Sequence, residues 1–425
     1  MDDTKEHQCE PDADLPPLAD AALSPAPPVF YCYNAQCASL ADLALSSVCP
    51  RRSALVHSLV AACGLFERGL SLRRFSPASL TELEEYHSAE YLSLLAAPGR
   101  ASEEELVDAG LSHDCPVFDG LLSYARHVAG GALAAADLVF PPKAARQRKR
   151  PLRDDAAAAP VAVFWDGGRH HARRGAASGF CYANDAVLCV QRLRASGARR
   201  VLFLDVDVHC PDAVASAFER TSSVCVVSMH RSGPGIFPPG VGLFSQRGDG
   251  DGAGHTLNLP CGDGLSDDLF FEAFRFLVSR VASIYRPDAV VLLAGADGLA
   301  GDPLGGWALT PAALVGAALA TAALGVPMVL LGGGGYVPAN AARAWAAVTS
   351  ALVDARAGGG GRADELPRWE WEPGANVPEH ANLLSYGPDF TFWPHVPAPP
   401  QADDRGELMR RCAELVAALQ AEYEE

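Results

Sequence analysis

The chain predicts an α/β fold, a central and mainly parallel sheet with helices on both faces. Two observations carry that expectation. Between residues 161 and 350 short apolar runs alternate with segments of helical period, the pattern of strand–helix–strand units. Four of the apolar runs also break off into polar or glycine-rich residues: VAVFWDGGRHHA (161–172), VLFLDVDVH (201–209), AVVLLAGAD (289–297) and MVLLGGGGY (328–336). In a parallel sheet functional groups gather beyond the carboxyl ends of the strands, so these four ends are expected to converge on one crevice.

Residues 1–28 are rich in Asp, Pro and Ala and hold little to bury, which predicts a disordered acidic tail. The main body is expected over 29–395. Within it PRRSALVHSLVAACGLF (50–66) places Val56, Leu59, Val60 and Cys63 on one helical face. SLTELEEYHSAEYLSLLAA (79–97) is helical in pattern, with Ser79 placed to cap it, and a further helix is expected from Phe118 to Phe140. Residues 141–160 run from basic to acidic to alanine-rich and read as a surface insertion. AVASAFE (213–219), DDLFFEAFRFLVSRVASIY (267–285) and TPAALVGAALATAAL (310–324) supply helices between the strands. Gly358 to Gly361 open a flexible linker, Trp369 to Trp393 reads as irregular chain packed on the body, and GELMRRCAELVAALQAEY (406–423) predicts an amphipathic helix within a C-terminal segment 396–425.

Composition narrows the function classes. A formal charge of −17 with 49% apolar residues gives no general attraction to nucleic acid or anionic membrane, and favours cationic, lysine-rich partners. MDDTKEHQCE is acidic and lacks an apolar stretch, so neither a secretory signal nor an arginine-rich transit peptide is expected and the chain reads as intracellular. The apolar runs are too short and interrupted to span a bilayer. Twelve cysteines without a CxxC pair read as reduced thiols.

The chemistry lies at the strand ends. Asp205, Asp207 and His209 alternate, so on extended backbone they project to one side. Two carboxylates and an imidazole on one face are costly unless a cation neutralises them. A pair of capping or salt-bridged aspartates beside a core histidine is the alternative. Asp297 ends another apolar strand, where a bare carboxylate needs a partner, and a shared metal supplies one. Asp, His and Asp leave coordination open, as in a catalytic zinc site. His170 and His171 suit the base and acid of amide hydrolysis, with Asp205 and Asp212 as the carboxylates that orient them, although HH pairs in loops are often only solvated. Tyr336 either packs over its glycine turn or donates to an oxyanion. Gly332 to Gly335 lack both the GxGxxG spacing and the Lys-Ser/Thr of a phosphate loop.

These segments, with ASGFCYANDAVL (177–188), FPPGVG (237–242), GADGLAGDPLGGWALT (295–310), LGGGGYVPANAARAW (331–345), SHDCPVFDGL (112–121) and YGPDF (386–390), resemble class I zinc-dependent histone deacetylases over roughly residues 29 to 395. The VHSL segment and Gly301-Asp302-Pro303 lean toward the histone deacetylase 8 branch. The resemblance implies an arginase/deacetylase-like fold with an eight-stranded sheet, and hydrolysis of N6-acetyl-lysine in histone tails or other proteins to lysine and acetate. It implies Asp207, His209 and Asp297 as ligands of zinc, or of ferrous iron in the cell, and His170 and His171 as paired base and acid backed by Asp205 and Asp212. Tyr336 would polarise the acyl carbonyl. Gly179, Phe180 and Phe237 would line the acyl-lysine tunnel, with Leu304 at its rim and Asp114 on the substrate backbone. Arg52 would lie by an internal acetate-exit cavity. Potassium or sodium sites are implied at Asp205, Asp207, His209, Ser228 and Met229, and at Phe218, Thr221, Val224 and His255. Hydroxamate-type inhibitors, nuclear and cytoplasmic residence, and a role in transcriptional repression also follow, with co-repressor partners left open.

The chain departs from the family pattern at several points. Where HGDG is usual, Cys210, Pro211, Asp212 and Ala213 follow His209, which puts the aim of Asp212 at His171, and hence activity, in doubt. Arg169 stands where tryptophan is often found, Ile236 replaces a tunnel aromatic, and Gly298 replaces a hydroxyl residue. An acetylpolyamine or other small-amide hydrolase, and a zinc-holding scaffold without turnover, are the competing readings. The basic run Lys143, Arg146, Arg148, Lys149 and Arg150 reads equally as a nuclear import signal or a solvated loop.

Overall fold

The computed structural model describes residues 29–142, 159–357, 375–394, 396–397 and 399–424. The tail, the basic run, the Gly358–Gly361 linker and Trp369 lie outside these residues. Eight strands form one sheet: β1 Val29–Tyr33, β2 Leu70–Arg74, β3 Val161–Phe164, β4 Val201–Asp205, β5 Val224–Arg231, β6 Thr256–Cys261, β7 Ala289–Leu293 and β8 Met328–Leu331. Their order is β2-β1-β3-β8-β7-β4-β5-β6, and every pairing is parallel. The four strands singled out by their polar ends, β3, β8, β7 and β4, are therefore consecutive at the centre of the sheet. Registers such as Leu204↔Leu292 and Leu292↔Leu330 bring their carboxyl ends level.

All four of these strands are buried throughout, which matches their continuous Val, Leu and Phe runs. Alternate residues divide between two apolar layers. Val161, Val163, Leu202 and Leu204 face one layer, whereas Ala162, Phe164, Val201 and Phe203 face the other, where helix Leu121–Val139 packs against helix Asp185–Ala195. On the first face helix Pro338–Arg356 packs on helix Arg52–Ala62. Helix Arg405–Ala421 buries Leu408, Cys412, Leu415 and Leu419 in that same layer against helix Asp267–Tyr285, so the C-terminal segment shares the core of the body.

Two boundaries differ from the expected ones for local reasons. The 79–97 pattern divides into helices Leu80–Glu84 and Ala89–Ala96. Ser79 closes a capping box with Glu82, and Ser88 then caps a second helix by accepting from the Tyr91 amide while its own amide donates to Arg174. The 50–66 helix shortens to Arg52–Ala62, with Gly64 at φ 64° just beyond its end.

Candidate active site

Strand β4 stops at Asp205, and VDVH continues as bent chain rather than as strand. The physical reason is visible in the hydrogen bonds. Asp205 Oδ1 accepts the Asp207 amide at 3.0 Å, and Asp207 Oδ1 accepts the His209 amide at 2.9 Å. Each aspartate thus offers its own backbone an alternative to the ladder, the property that favours Asp in turns. The result still gathers the side chains. Asp207, His209 and Asp297 are buried, with potential ligand atoms within 4.8 Å of one another. Asp297 is delivered by the end of β7, and its Oδ1 accepts the Val208 amide at 3.0 Å.

These three residues fit a divalent cation. Carboxylate oxygens and an imidazole nitrogen are hard-to-borderline donors, and three protein ligands leave coordination open. The surroundings are built to let donors approach: a Cβ placed on Gly295 or Gly334 would overlap the carboxylates of Asp207 and Asp297. Gly334 instead donates its amide to Asp207 Oδ2 at 2.6 Å. The electrostatics ask for positive charge. Burial and the neighbouring Asp207 push the Asp297 carboxyl up to about 8. Burial opposes charge on His209, yet its contacts with Asp207 Oδ1 at 3.1 Å and Asp297 Oδ2 at 2.9 Å outweigh it and raise the imidazole to about 10.

His170 and His171 follow β3, their rings tilted at 58° with centroids 4.0 Å apart. Each has its own carboxylate: His170 Nδ1 meets Asp205 Oδ2 at 2.9 Å, and His171 Nδ1 meets Asp212 Oδ1 at 2.8 Å. Burial lowers both imidazoles, and the adjacent His170 adds to the depression of His171, which falls to about 4. The far nitrogen of His170 lies 3.8 Å from Asp207 Oδ1, so the pair borders the triad. Asp212 is held below the ordinary carboxylate range because its contact with His171 outweighs burial.

The expected disturbance at Pro211 is absent. Pro211 sits at φ −74°, ψ 63° with the Asp212 amide bonded to the Cys210 carbonyl at 2.8 Å, an inverse γ-turn that suits a fixed proline φ. Ala213 is the second residue of helix Asp212–Phe218 and needs no positive φ. The loop aims Asp212 at His171 with the substituted residues in place.

The remaining positions surround this centre. Tyr336 follows β8 across the glycines; its ring is 6.4 Å from His209 and 5.6 Å from Phe180. Phe237 lies 4.9 Å from His171, and a Cβ on Gly179 would strike both rings, so Gly179 and Phe237 both lie against His171. Leu304 is 42% exposed at the surface. Asp114 is exposed and spends one carboxylate oxygen on the Gly179 amide at 2.9 Å. Arg52 is buried beneath the glycine turn, donating to the Gly333 and Gly335 carbonyls at 3.0 and 3.1 Å and lying over Trp345.

The positions expected at monovalent cations lie along and beside β4 and β5 and just before β6. Asp205 pairs across the sheet with Ser228, next to Met229, and the Ser228 hydroxyl contacts His230 Nδ1 at 2.7 Å. In the other group the Phe218 carbonyl accepts the Thr221 amide, Val224 opens β5, and the His255 carbonyl accepts the Val226 amide.

Several supporting residues were not singled out in the sequence. Asp302 accepts the Tyr336 and Leu304 amides at 2.7 and 2.9 Å, tying the tyrosine to the rim. Asp185 accepts the Gly168 and Arg169 amides, and Asn184 Nδ2 donates to the His170 and Ala172 carbonyls, so both shape the histidine loop. An Asn-Asp pair at a helix start was the available signal, and it reads as a simple cap. Arg173 adds a second contact to Asp212 at 3.2 Å. Of the departures, Arg169 is buried, and Gly298 leaves no room for a side chain against Trp307.

Comparison with known proteins agrees with this geometry. The family model of the histone deacetylase domain matches residues 46–352. Histone deacetylase 8 of Xenopus tropicalis is 35% identical over 367 residues, covering 85% of this chain and 89% of the relative. Histone deacetylase 8 of Danio rerio is 36% identical over 371 residues, covering 86% and 88%. Type-1 histone deacetylase 1 of Dictyostelium discoideum is 36% identical over 345 residues, covering 80% and 63%. The chain belongs to the histone deacetylase family, on an arginase/deacetylase-like fold. Within it this is a class I member resembling histone deacetylase 8, a hydrolase of acetylated amides.

Proposed function

We propose that the protein hydrolyses N6-acetyl-lysine in histone tails or other proteins, releasing lysine and acetate with the aid of zinc, or ferrous iron in the cell. The reading rests on one observation above all: the buried Asp207–His209–Asp297 group borders a histidine pair in which each imidazole has its own carboxylate. A bound divalent ion would supply Lewis acidity toward the acyl oxygen and the attacking water. The chain's own residues do the rest. Gly179, Phe180 and Phe237 confine the acyl-lysine stem, and Asp114 holds the substrate backbone at the rim near Leu304. His170 and His171, depressed by burial, are neutral near pH 7 and able to accept a proton from water. Asp205 and Asp212 fix their tautomers with the Nδ1 proton turned inward. The Tyr336 phenol, held well above its ordinary range by burial and Asp297, stays protonated and donates to the developing oxyanion. Potassium or sodium at the two backbone-rich groups would brace the Asp205–His209 turn and the start of β5. Hydroxamates, nuclear and cytoplasmic residence, and a role in repression with co-repressor subunits belong to the same reading, as does the main body over 29–395.

Turnover of acetyl-lysine peptides against acetylated polyamines, with and without a hydroxamate, tests it. Hydroxamate-sensitive release of acetate from peptides is expected. Preference for the polyamines would make the protein a small-amide hydrolase, and metal retention without turnover on either would make it a scaffold.

A further inference from the structure

Many surface arginines of this fold have a carboxylate of their own. Arg192 meets Glu82 and Asp137, Arg220 meets Asp249, Arg231 meets Asp263, Arg405 meets Glu272, and Arg410 meets Glu407 and Glu414. A groove of about 730 Å³ between helix Asp267–Tyr285 and helix Arg405–Ala421 breaks the pattern. Arg200, Arg280 and Arg286 line it, and among the described residues none of the three has a carboxylate within ion-pair distance. Arg280 and Arg286 are exposed and Arg200 is half-buried. The one carboxylate of the lining, Glu424, accepts from Gln420 Nε2 at 2.6 Å. Apolar surface completes the groove, with Phe276 and Ile284 half-buried and Val416 buried.

The groove lies at the amino edge of the sheet. Arg200 directly precedes β4, and Arg286 stands three residues before β7. The two loops are joined where the Asp288 amide donates to the Arg200 carbonyl at 2.8 Å. Because every pairing is parallel, Val29 starts β1 at that same edge. In the strand order β1 and β4 are four spacings apart, about 19 Å. The chain before Val29 carries Asp2, Asp3, Glu6, Glu10, Asp12, Asp14 and Asp20 against one lysine, Lys5, and DADLPPLAD (12–20) sets two leucines among three aspartates. Extended, the eight residues between Asp20 and Val29 reach about 26 Å and the sixteen between Asp12 and Val29 about 53 Å, so the stretch spans that distance.

Guanidiniums without a counter-charge attract carboxylates and bind them through two parallel hydrogen bonds. Nucleic acid matches less well, since the chain carries −17 overall and the lining includes apolar residues and a carboxylate. A segment with too little apolar surface to build a core gains on such a wall the contacts it lacks. We propose that the acidic stretch 12–20 of this chain docks in the groove, its aspartates on Arg200, Arg280 and Arg286 and its leucines on the apolar wall. Docked there, it ties the two helices together at the edge of the sheet remote from His170 and Asp207, so the deacetylase reading stands or falls separately.

Anisotropy of a fluorescent peptide of residues 10–22, added to the full-length protein carrying Asp12→Asn, Asp14→Asn and Asp20→Asn, tests the docking. Saturable binding is expected. It should be about tenfold weaker or more to the wild-type chain, whose tethered tail competes at high effective concentration. Adding Arg280→Ser and Arg286→Ser should weaken it about tenfold or more, since two charge-assisted contacts are lost, and salt should weaken it too. The Tm of each variant checks that it folds. Equal affinity for the wild-type and neutralised chains, no loss with the arginine variants, or equal binding of a scrambled peptide would overturn the proposal. Preference for an unrelated acidic peptide of the same charge would assign the groove to a partner protein. A groove-dependent dimer in sedimentation, dissolved by the peptide, would place the tail on a second copy. Either result overturns docking within one chain.

Discussion

The front and the rear of the catalytic cavity are built on opposite principles. At the front, the imidazoles and most of the carboxylates have a directed partner: His170 has Asp205, His171 has Asp212, and His209 sits between Asp207 and Asp297. At the rear, where Arg52 and Arg169 line the same cavity, Arg169 Nε has none. Acidic groups crowd the front and cationic ones the rear, with the glycine turn between. The difference teaches that the polar groups ahead of the glycines answer one another, whereas some of those behind them do not.

The largest effect should come from removing a donor at the front. His209→Ala or Asp297→Ala is expected to abolish stoichiometric metal in elemental analysis and to lower kcat/KM by about 10³-fold or more, since a lost Lewis acid is worth several kcal/mol. Full metal content in either variant would break the assignment. Tyr336→Phe should lower kcat by about 10²- to 10³-fold with metal content unchanged, as for removal of an oxyanion donor. Unchanged turnover would make the tyrosine a packing residue.

Asp212→Asn tests whether partnering itself matters at the front. Losing a charge-assisted hydrogen bond of about 1.5–3 kcal/mol predicts a loss of about 10- to 10²-fold in kcat, with KM little altered. A loss confined to KM would indicate that Asp212 serves substrate binding instead.

The smallest effect is on stability. His87 and His230 lie away from the triad, and burial lowers each from 6.5 to about 4. The unfolded chain takes up protons on these groups at pH values where the folded chain does not. Their stability contribution is therefore complete above pH 6.5 and declines as pH falls toward 4, by up to about 1.4 kcal/mol per pH unit for each. Urea midpoints measured from pH 7.5 to 4.5 should decline across that window, and a flat profile would mean that these imidazoles are charged in the folded protein.

Much of the site could be read along the chain because each part adjoins its strand. Asp205, Asp207, His209, Asp297 and Tyr336 stand within a few residues of apolar runs whose burial follows from composition alone. The supporting set was harder to read. Asp302 acts on Tyr336 from 34 positions away, and Asp212 reaches His171 across 41. Only the folded sheet shows that the Pro211 turn suits this aim, because a γ-turn and a distortion carry the same residue letters. The break at Ser88 needed the same information, since its amide bonds to Arg174 in a distant loop.

Alternating strand and helix periods, the polar strand ends and the family motifs determined the fold class and the inventory of donors, because burial pattern and residue chemistry are local properties. Which donors face one another was decided by the sheet order β3-β8-β7-β4, which sets strand ends far apart in sequence side by side. The same packing left Arg169 Nε without a hydrogen-bond partner, since pairing depends on where neighbouring carboxylates are spent, and that is settled only by contacts between segments remote along the chain.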